Sequence, residues 1–293
     1  MVACEDGCLY VYTYNGKRLL PCMMLDAPVS FIDSCGDFLM CITAVGLLSV
    51  WNVTQQTVLI SSVSLSPILL TATLPSNSPH KSVNITSAIV RSQGLPLITT
   101  SDGQGYTYHL NMKSWVRIVD RWFVASEFYG STSLVSDEKK NILSSLQRAA
   151  TRNCEVEFMQ GPFPQALLST DRKAQSVITM SHLESSLESS KLLQSPAEYR
   201  HWLLCYARRL ADEGAELRAE DLCRELLGPL YRLSSSKSLT TSKWNPLILG
   251  FPKHELLREI LPILGGNRCL QRISTEYSKS LKELAPENPM DQP

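Results

Sequence analysis

Val45-Gly46-Leu47-Leu48-Ser49-Val50-Trp51-Asn52 decides how this chain is read. A glycine, free to take the positive φ of a tight turn, is followed by branched and aromatic residues that suit a pleated surface. The same arrangement occurs earlier as Asp6-Gly7-Cys8-Leu9-Tyr10-Val11-Tyr12 and later as Asp102-Gly103-Gln104-Gly105-Tyr106-Thr107-Tyr108. The first two copies stand roughly one propeller-blade period apart, about 40–45 residues. The third follows a Ser/Pro-containing insertion around Leu74-Pro75-Ser76-Asn77-Ser78-Pro79. The pattern reads as blades of a WD-type β-propeller, a binding platform more often than a catalyst.

Strands extend outward from these repeats. Cys8 to Tyr14, Val29 to Cys35, Phe38 to Ala44, Leu47 to Val53 and Thr57 to Val63 are the clearest runs. Ile85 to Arg91, Pro96 to Thr100, Gly105 to Leu110 and Trp115 to Val119 continue them, and Asn15-Gly16 is a strong hairpin signal. Three blades are too few to close a propeller, which typically needs about 4–8. The chain therefore reads as the later part of a longer parent. Its strand edges are expected to be covered by further blades, by the helical half or by other copies.

The fold class expected is mixed β and α, with WD-type propeller-like blades followed by a C-terminal helical domain. Residues 1–125 are assigned to the blades and 126–194 to a partly helical linker. Its helical patterns run over Glu138 to Arg152 and Arg172 to Leu193, and Gly161-Pro162-Phe163-Pro164 breaks them. Residues 195–285 are assigned to helices and 286–293 to a disordered, proline-rich tail. Ser195-Pro196-Ala197-Glu198 predicts a capping box with proline at the first helical position. From there Tyr199, Trp202, Leu203, Cys205, Tyr206 and Leu210 recur at helical spacing up to Gly214. A second helix over Leu217 to Leu227 stops at Gly228-Pro229. A third covers Lys253 to Leu261 and is expected to break at Pro262, and a fourth runs from near Asn267 to Leu284.

The length suits about two domains. Formal net charge is zero and no Lys/Arg-rich block is present, which disfavours direct nucleic-acid binding. No run of about 18 apolar residues suggests a membrane span. Met1-Val2-Ala3-Cys4-Glu5-Asp6 lacks the character of a signal peptide. The nine cysteines include no CxxC pair. Cys4 and Cys8 form a CxxxC without a following metal-ligand pair, and Cys205 and Cys223 lie among apolar neighbours. Reduced, mostly buried thiols in a cytosolic or nuclear protein are the reading. Asn52-Val53-Thr54 and Asn84-Ile85-Thr86 match the glycosylation sequon, and without a secretory signal both are taken as chance matches.

Catalytic and metal chemistry find little support. His80, His109, His182, His201 and His254 are not spaced for a site such as HExxH. His254, beside Glu255 near a helix start, reads as a solvated or capping residue, and His182 lies in a polar segment. Gly103-Gln104-Gly105 is a lone GxG, and no phosphate-binding loop or nucleophile elbow is present. Asp102 and Asp120 are turn residues, not an acid–base pair. No catalytic residue, metal ligand or cofactor is assigned.

The helical half carries a specific resemblance. Glu198-Tyr199-Arg200-His201-Trp202-Leu203-Leu204-Cys205-Tyr206-Ala207-Arg208 resembles the helix typical of the C-terminal region of the HIRA family of histone chaperones. So do Leu226-Leu227-Gly228-Pro229, Trp244-Asn245-Pro246, and Leu249-Gly250-Phe251-Pro252-Lys253-His254-Glu255-Leu256-Leu257-Arg258-Glu259-Ile260-Leu261-Pro262. In the first half, Ala3-Cys4-Glu5-Asp6-Gly7-Cys8-Leu9, Arg18-Leu19-Leu20-Pro21 and Leu48-Ser49-Val50-Trp51-Asn52-Val53 are similar to the same family, in the same order.

The resemblance implies a non-enzymatic scaffold subunit of a nuclear complex that deposits a replacement histone variant outside DNA replication, with roles in chromatin organisation and in transcriptional regulation, including repression. It implies that this C-terminal region self-associates as a homotrimer and holds a Cabin-type subunit, and that other chaperone subunits attach through the parent assembly. The family's amino-terminal propeller and the middle segment that binds the anti-silencing chaperone are expected to lie outside this chain, so neither activity is carried over. No sequence-specific nucleic-acid binding and no membrane association are implied.

Trp51-Asn52 stands where many WD-type blades, and many HIRA-like sequences, have Trp-Asp. In one reading Trp51 ends a strand in the core and Asn52 caps the turn. In the other the pair belongs to the self-association and partner surface, where truncating a Trp anchor can cost ~2 kcal/mol or more. Asn52 keeps the hydrogen-bonding shape of aspartate without its charge. A cytoplasmic WD-type adapter, of the vesicle-coat or ubiquitin-ligase-receptor kind, shares the same periodicity and is the alternative from a different functional class.

Overall fold

The three glycine turns close in the same way. Gly7, Gly46 and Gly103 sit at φ of 82°, 78° and 79°. Each donates its N–H to the carbonyl three residues earlier: Cys4 at 3.2 Å, Thr43 at 2.9 Å and Thr100 at 3.1 Å. At Gly7 a Cβ would stand 2.8 Å from the Leu25 carbonyl oxygen, so space as well as backbone conformation calls for glycine. The Asn15-Gly16 turn is closed by Gly16 N–H to Thr13 O at 3.0 Å, with Tyr12 bridged to Arg18 across it.

These turns join antiparallel meanders. The computed structural model describes residues 1–70, 83–129, 141–158, 172–229 and 244–284. The Ser/Pro insertion, His80, the Gly161–Pro164 break and the 286–293 tail lie outside the described residues. Strands β1 (Val2–Ala3), β2 (Cys8–Tyr10) and β3 (Met23–Met24) form the first sheet. Strands β4 (Val29–Cys35), β5 (Phe38–Thr43), β6 (Leu47–Asn52) and β7 (Thr57–Ser64) form the second, in chain order. A short helix α1 (Ser66–Leu70) follows. The third sheet holds β8 (Ile85–Val90), β9 (Pro96–Thr100), β10 (Gly105–His109) and β11 (Ser114–Val119), again in chain order. Sequential four-stranded meanders are the blade arrangement that the repeats predict.

The central strands of the second sheet, β5 and β6, are buried on both faces, and side-chain alternation sorts their residues between two cores. Met40, Ile42, Leu48, Val50 and Ile60 point one way, into a cluster shared with Val90, Ile98, Tyr106 and Tyr108 of the third sheet. Leu39 points the other way, against Leu9 and Val11, with Met23, Leu25, Trp51 and Val53 packed around them. Asp33 Oδ2 accepts the Val90 N–H at 2.8 Å, which ties β4 to β8. A 3-10 turn over Arg121–Ala125 closes the β region.

The chain divides into two compact units. One comprises residues 1–125 with 143–174, and the other 126–142 with 175–293. Helix α2 (Ile142–Phe158) contributes buried Leu143, Leu146 and Ala150 to the first unit, where Leu146 packs over Gly105 of β10.

The second unit is helical. Helix α3 (Arg172–Leu192) is followed by α4 (Pro196–Glu213), α5 (Glu216–Leu227), a short hairpin β12 (Leu247–Ile248) and β13 (Phe251–Pro252), then α6 (Lys253–Gly265) and α7 (Gln271–Leu284). The faces of α4, α5 and α6 are apolar at helical spacing, with Tyr199, Trp202, Leu203, Leu226, Leu257, Ile260 and Leu264 buried.

Two local expectations need correction. Ser195 is the N-cap of α4 and Pro196 opens the helix, but the Ser195 side chain makes no capping hydrogen bond. The reason lies in how α3 ends. Gln194 takes a positive φ of 51°, and the Ser195 N–H closes a Schellman-type turn on Ser190 O at 3.0 Å. That N–H is the group a capping box would pair with Glu198, and it is already committed. The second correction is Pro262, which lies inside α6. It removes the N–H that would bond the Arg258 carbonyl. The helix continues because Leu261 and Leu264 on either side are buried, and because Ser274 Oγ donates to Leu261 O at 2.8 Å.

Candidate functional site

Trp51 and Asn52 end β6. Asn52 pairs with Phe38 and Thr57, and Trp51 with Leu39 and Val58. Asn52 is only 9% exposed, and its Oδ1 accepts the Gln55 N–H at 2.8 Å, which closes the turn into β7. Beside it Val53 N–H donates to Asp37 O at 2.8 Å, and Thr54 Oγ1 donates to Asp37 Oδ1 at 2.7 Å. The turn thus uses the amide that a sequon reading would offer to solvent. Trp51 is half-buried on the face that packs against Leu9 and Leu39, and its cross-strand neighbour Val58 is 57% exposed. An apolar face therefore runs from full burial at Leu39 through Trp51 to open surface at Val58.

In the helical unit, side chains far apart in sequence meet in two places. At the end of α5 the chain turns at Gly228, φ 74°, where a Cβ would stand 2.3 Å from the Trp244 ring. The Trp244 Nε1–H donates to Glu225 O at 3.0 Å, and the His254 ring stacks on the indole at 5.7 Å between centroids. His254 Nε2 is 3.0 Å from Leu227 O, and Lys253 Nζ lies 5.3 Å above the Trp244 ring. Gly228, Trp244 and His254 thus clasp the end of α5. His254 is no solvated capping residue, contrary to the expectation from sequence.

The second meeting place is His182, fully buried on α3. Its Nδ1 is 2.9 Å from Ser126 Oγ, and its ring meets Trp202 edge-on at 5.1 Å. Trp202 is buried, its Nε1 has no hydrogen-bond partner among the described residues, and the His201 ring meets the indole edge-on at 5.2 Å. Burial lowers the His182 pKa to about 4, so the ring is neutral at ordinary pH. Sequence reading missed this histidine because Thr179, Ser186, Ser189 and Ser190 share the buried face of α3 with Met180, Leu183 and Leu187 and blur its apolar stripe. His109 is local, its Nδ1 accepting the Met112 N–H at 3.1 Å.

The chemistry of these groups is structural. Burial raises the Cys41 thiol to about 11 and, with Glu220 adding to it, the Cys223 thiol to about 12, which keeps both protonated. Cys4, Cys8, Cys22, Cys35, Cys41, Cys205, Cys223 and Cys269 are free thiols. Among the described residues no three His, Cys, Asp or Glu side chains converge to hold a metal ion, and no helix is long and apolar enough to cross a membrane.

Successive β-meanders followed by a helical domain define a class of protein with propeller-like blades and a C-terminal helical region. Within that class the match is specific. Residues 16–226 match the Hira family, described as TUP1-like enhancer of split. Protein HIRA of Takifugu rubripes is 36% identical over 284 residues, covering 97% of this chain and 26% of that protein. Histone transcription regulator slm9 of Schizosaccharomyces pombe is 31% identical over 294 residues, covering 97% of this chain and 36% of that protein. The crystal structure of HIRA(644-1017) superposes with a TM-score of 0.65 at 29% identity, over 96% of this chain and 76% of that one. The chain belongs to the Hira family. It spans about a quarter of the length of the curated relatives that it matches first, 26–27%.

Proposed function

We propose that this chain is a non-enzymatic scaffold of a HIRA-type histone chaperone complex, acting in the nucleus to support replication-independent nucleosome assembly, chromatin organisation and transcriptional regulation. The observation that carries the reading is family membership along nearly the whole chain, through both the blades and the helices. The similarity to a histone transcription regulator favours the chromatin role over the cytoplasmic adapter.

The mechanism is association. The chain joins copies of itself as a homotrimer and holds a Cabin-type subunit, and multivalency raises the effective concentration of attached chaperones near DNA. Trp51 and Asn52 are placed in the self-association and partner surface. What supports this is the half-burial of Trp51 and the exposed apolar neighbour Val58 on the same face. Asn52 supports that surface by holding the turn. Light scattering of the purified chain on a sizing column tests the reading. A trimer is expected, with Trp51→Ala shifting the mass towards monomer while the fold persists. A well-folded monomer at all concentrations overturns the trimer, and failure to capture a Cabin-type subunit overturns the partner.

A further inference from the structure

Between α6 and α7 lies a cavity of about 360 Å³. Its lining includes Leu261, Pro262 and Leu281, with Ser278 on one wall and Arg258 and Lys282 beside the apolar floor. The volume sits at the low end of the range for small-molecule sites. Ser274, also in the wall, already donates to Leu261 O.

The charges around it are one-sided. No carboxylate lines the cavity. Neighbouring Glu259 is held by Arg200 through two 2.9 Å hydrogen bonds, and Glu276 faces Arg272 at 3.7 Å. Neither Arg258 nor Lys282 forms an ion pair among the described residues. The exposed guanidinium and ammonium therefore stand unneutralised over an apolar floor.

From this arrangement we infer that the α6–α7 groove docks an acidic amphipathic helix of a partner protein, whose apolar anchors fill the cavity while its carboxylates meet Arg258 and Lys282. Charge complementarity sets the occupant. A bare phosphate group would use the two cations but leave the apolar floor empty, whereas a helix with apolar residues at i, i+3, i+4 and i+7 and acidic flanks uses both. The inference deepens the scaffold reading by naming the chemistry of one attached partner.

The test uses the full chain and a fluorescein-labelled amphipathic peptide with leucine at i, i+3, i+4 and i+7 and glutamate at the flanking positions. Polarisation is read against two control peptides, one with lysine for glutamate and one with serine for leucine, and against a labelled DNA duplex. The acidic peptide is expected to bind, both controls to bind at least about tenfold more weakly, and the double variant Arg258→Glu/Lys282→Glu to lose roughly tenfold or more. Ser278→Trp, which fills the groove, is expected to abolish binding with the helical circular dichroism unchanged. Equal binding of the lysine peptide, insensitivity to both variants, or no binding at all overturns the inference. So does binding of the serine peptide as tight as that of the acidic peptide, or preferential binding of the duplex. The solution mass of the same samples separates this from the scaffold reading: a trimer without peptide binding refutes the groove alone, and a monomer that binds peptide refutes self-association alone.

Discussion

Acid should loosen the helical unit through His182. The ring is 0% exposed, packed between Ser126 and the Trp202 indole, and burial holds its pKa at about 4 against an ordinary 6.5. The unfolded chain therefore takes up the proton first as pH falls, and unfolding is favoured by acid. The contribution is complete above about pH 6.5 and is lost as pH falls towards about 4. At 1.36 kcal/mol per pKa unit the full loss is roughly 3 kcal/mol, and about 2 kcal/mol is gone near pH 5. His182→Gln keeps a polar partner for Ser126 and cannot titrate. Urea unfolding of both chains, followed by helical circular dichroism at about pH 7.5 and about pH 5, should show the wild type losing about 2 kcal/mol more than the variant. Nuclear magnetic resonance should place the imidazole titration well below 6.5 in the native state. Parallel pH dependence of the two chains, or an imidazole titrating near 6.5, refutes the reasoning.

Other substitutions read the remaining contacts. Gly228→Ala meets both a φ of 74° and the Trp244 ring at 2.3 Å, and should destabilise by about 2–4 kcal/mol in urea unfolding. Adding Trp244→Ala should recover the clash but not the backbone strain, so the two changes should be non-additive. Asn52→Ala strips the acceptor from the Gln55 N–H and should cost about 1 kcal/mol, while Asn52→Asp, which keeps that acceptor, should stay within about 0.5 kcal/mol of wild type by denaturant midpoint. Pro262→Ala restores an N–H for the Arg258 carbonyl at an exposed position and should stabilise by about 1 kcal/mol or more, read as a Tm rise of roughly 2–4 °C.

What was legible in the sequence follows from where the physical signal is local. A turn glycine and the alternating strand after it lie within a few residues, so the blades at Gly7, Gly46 and Gly103 could be read directly, as could the helical faces of α4 to α6. Strand β3 is two residues long and α1 five, too short for any period to emerge. The buried face of α3 is hard to read because Thr179, Ser186, Ser189 and Ser190 are interleaved with its apolar Met180, Leu183 and Leu187. The Ser195 capping box failed because its backbone donor is claimed by the turn that ends the previous helix, a competition between neighbouring elements that a four-residue motif does not record. The clasp of Gly228, Trp244 and His254 joins residues on either side of a long connection, which no periodicity links.

That clasp also bears on what the family resemblance means. Its three members all lie in the segments that carry the resemblance, and each holds the structure in its own way. Gly228 makes a backbone turn, Trp244 covers that turn, and the His254 ring stacks on the indole. Tyr199, Trp202 and Tyr206, from the longest matching segment, are likewise buried. In the helical unit Gly228, Trp244 and His254 hold the start of α6 against the end of α5, while Tyr199, Trp202 and Tyr206 pack inside. Arg258 and Lys282 are both exposed at the rim of the α6–α7 groove. A partner's identity is best sought in such unpaired rim charges, and the integrity of the scaffold in the buried aromatic residues beneath them.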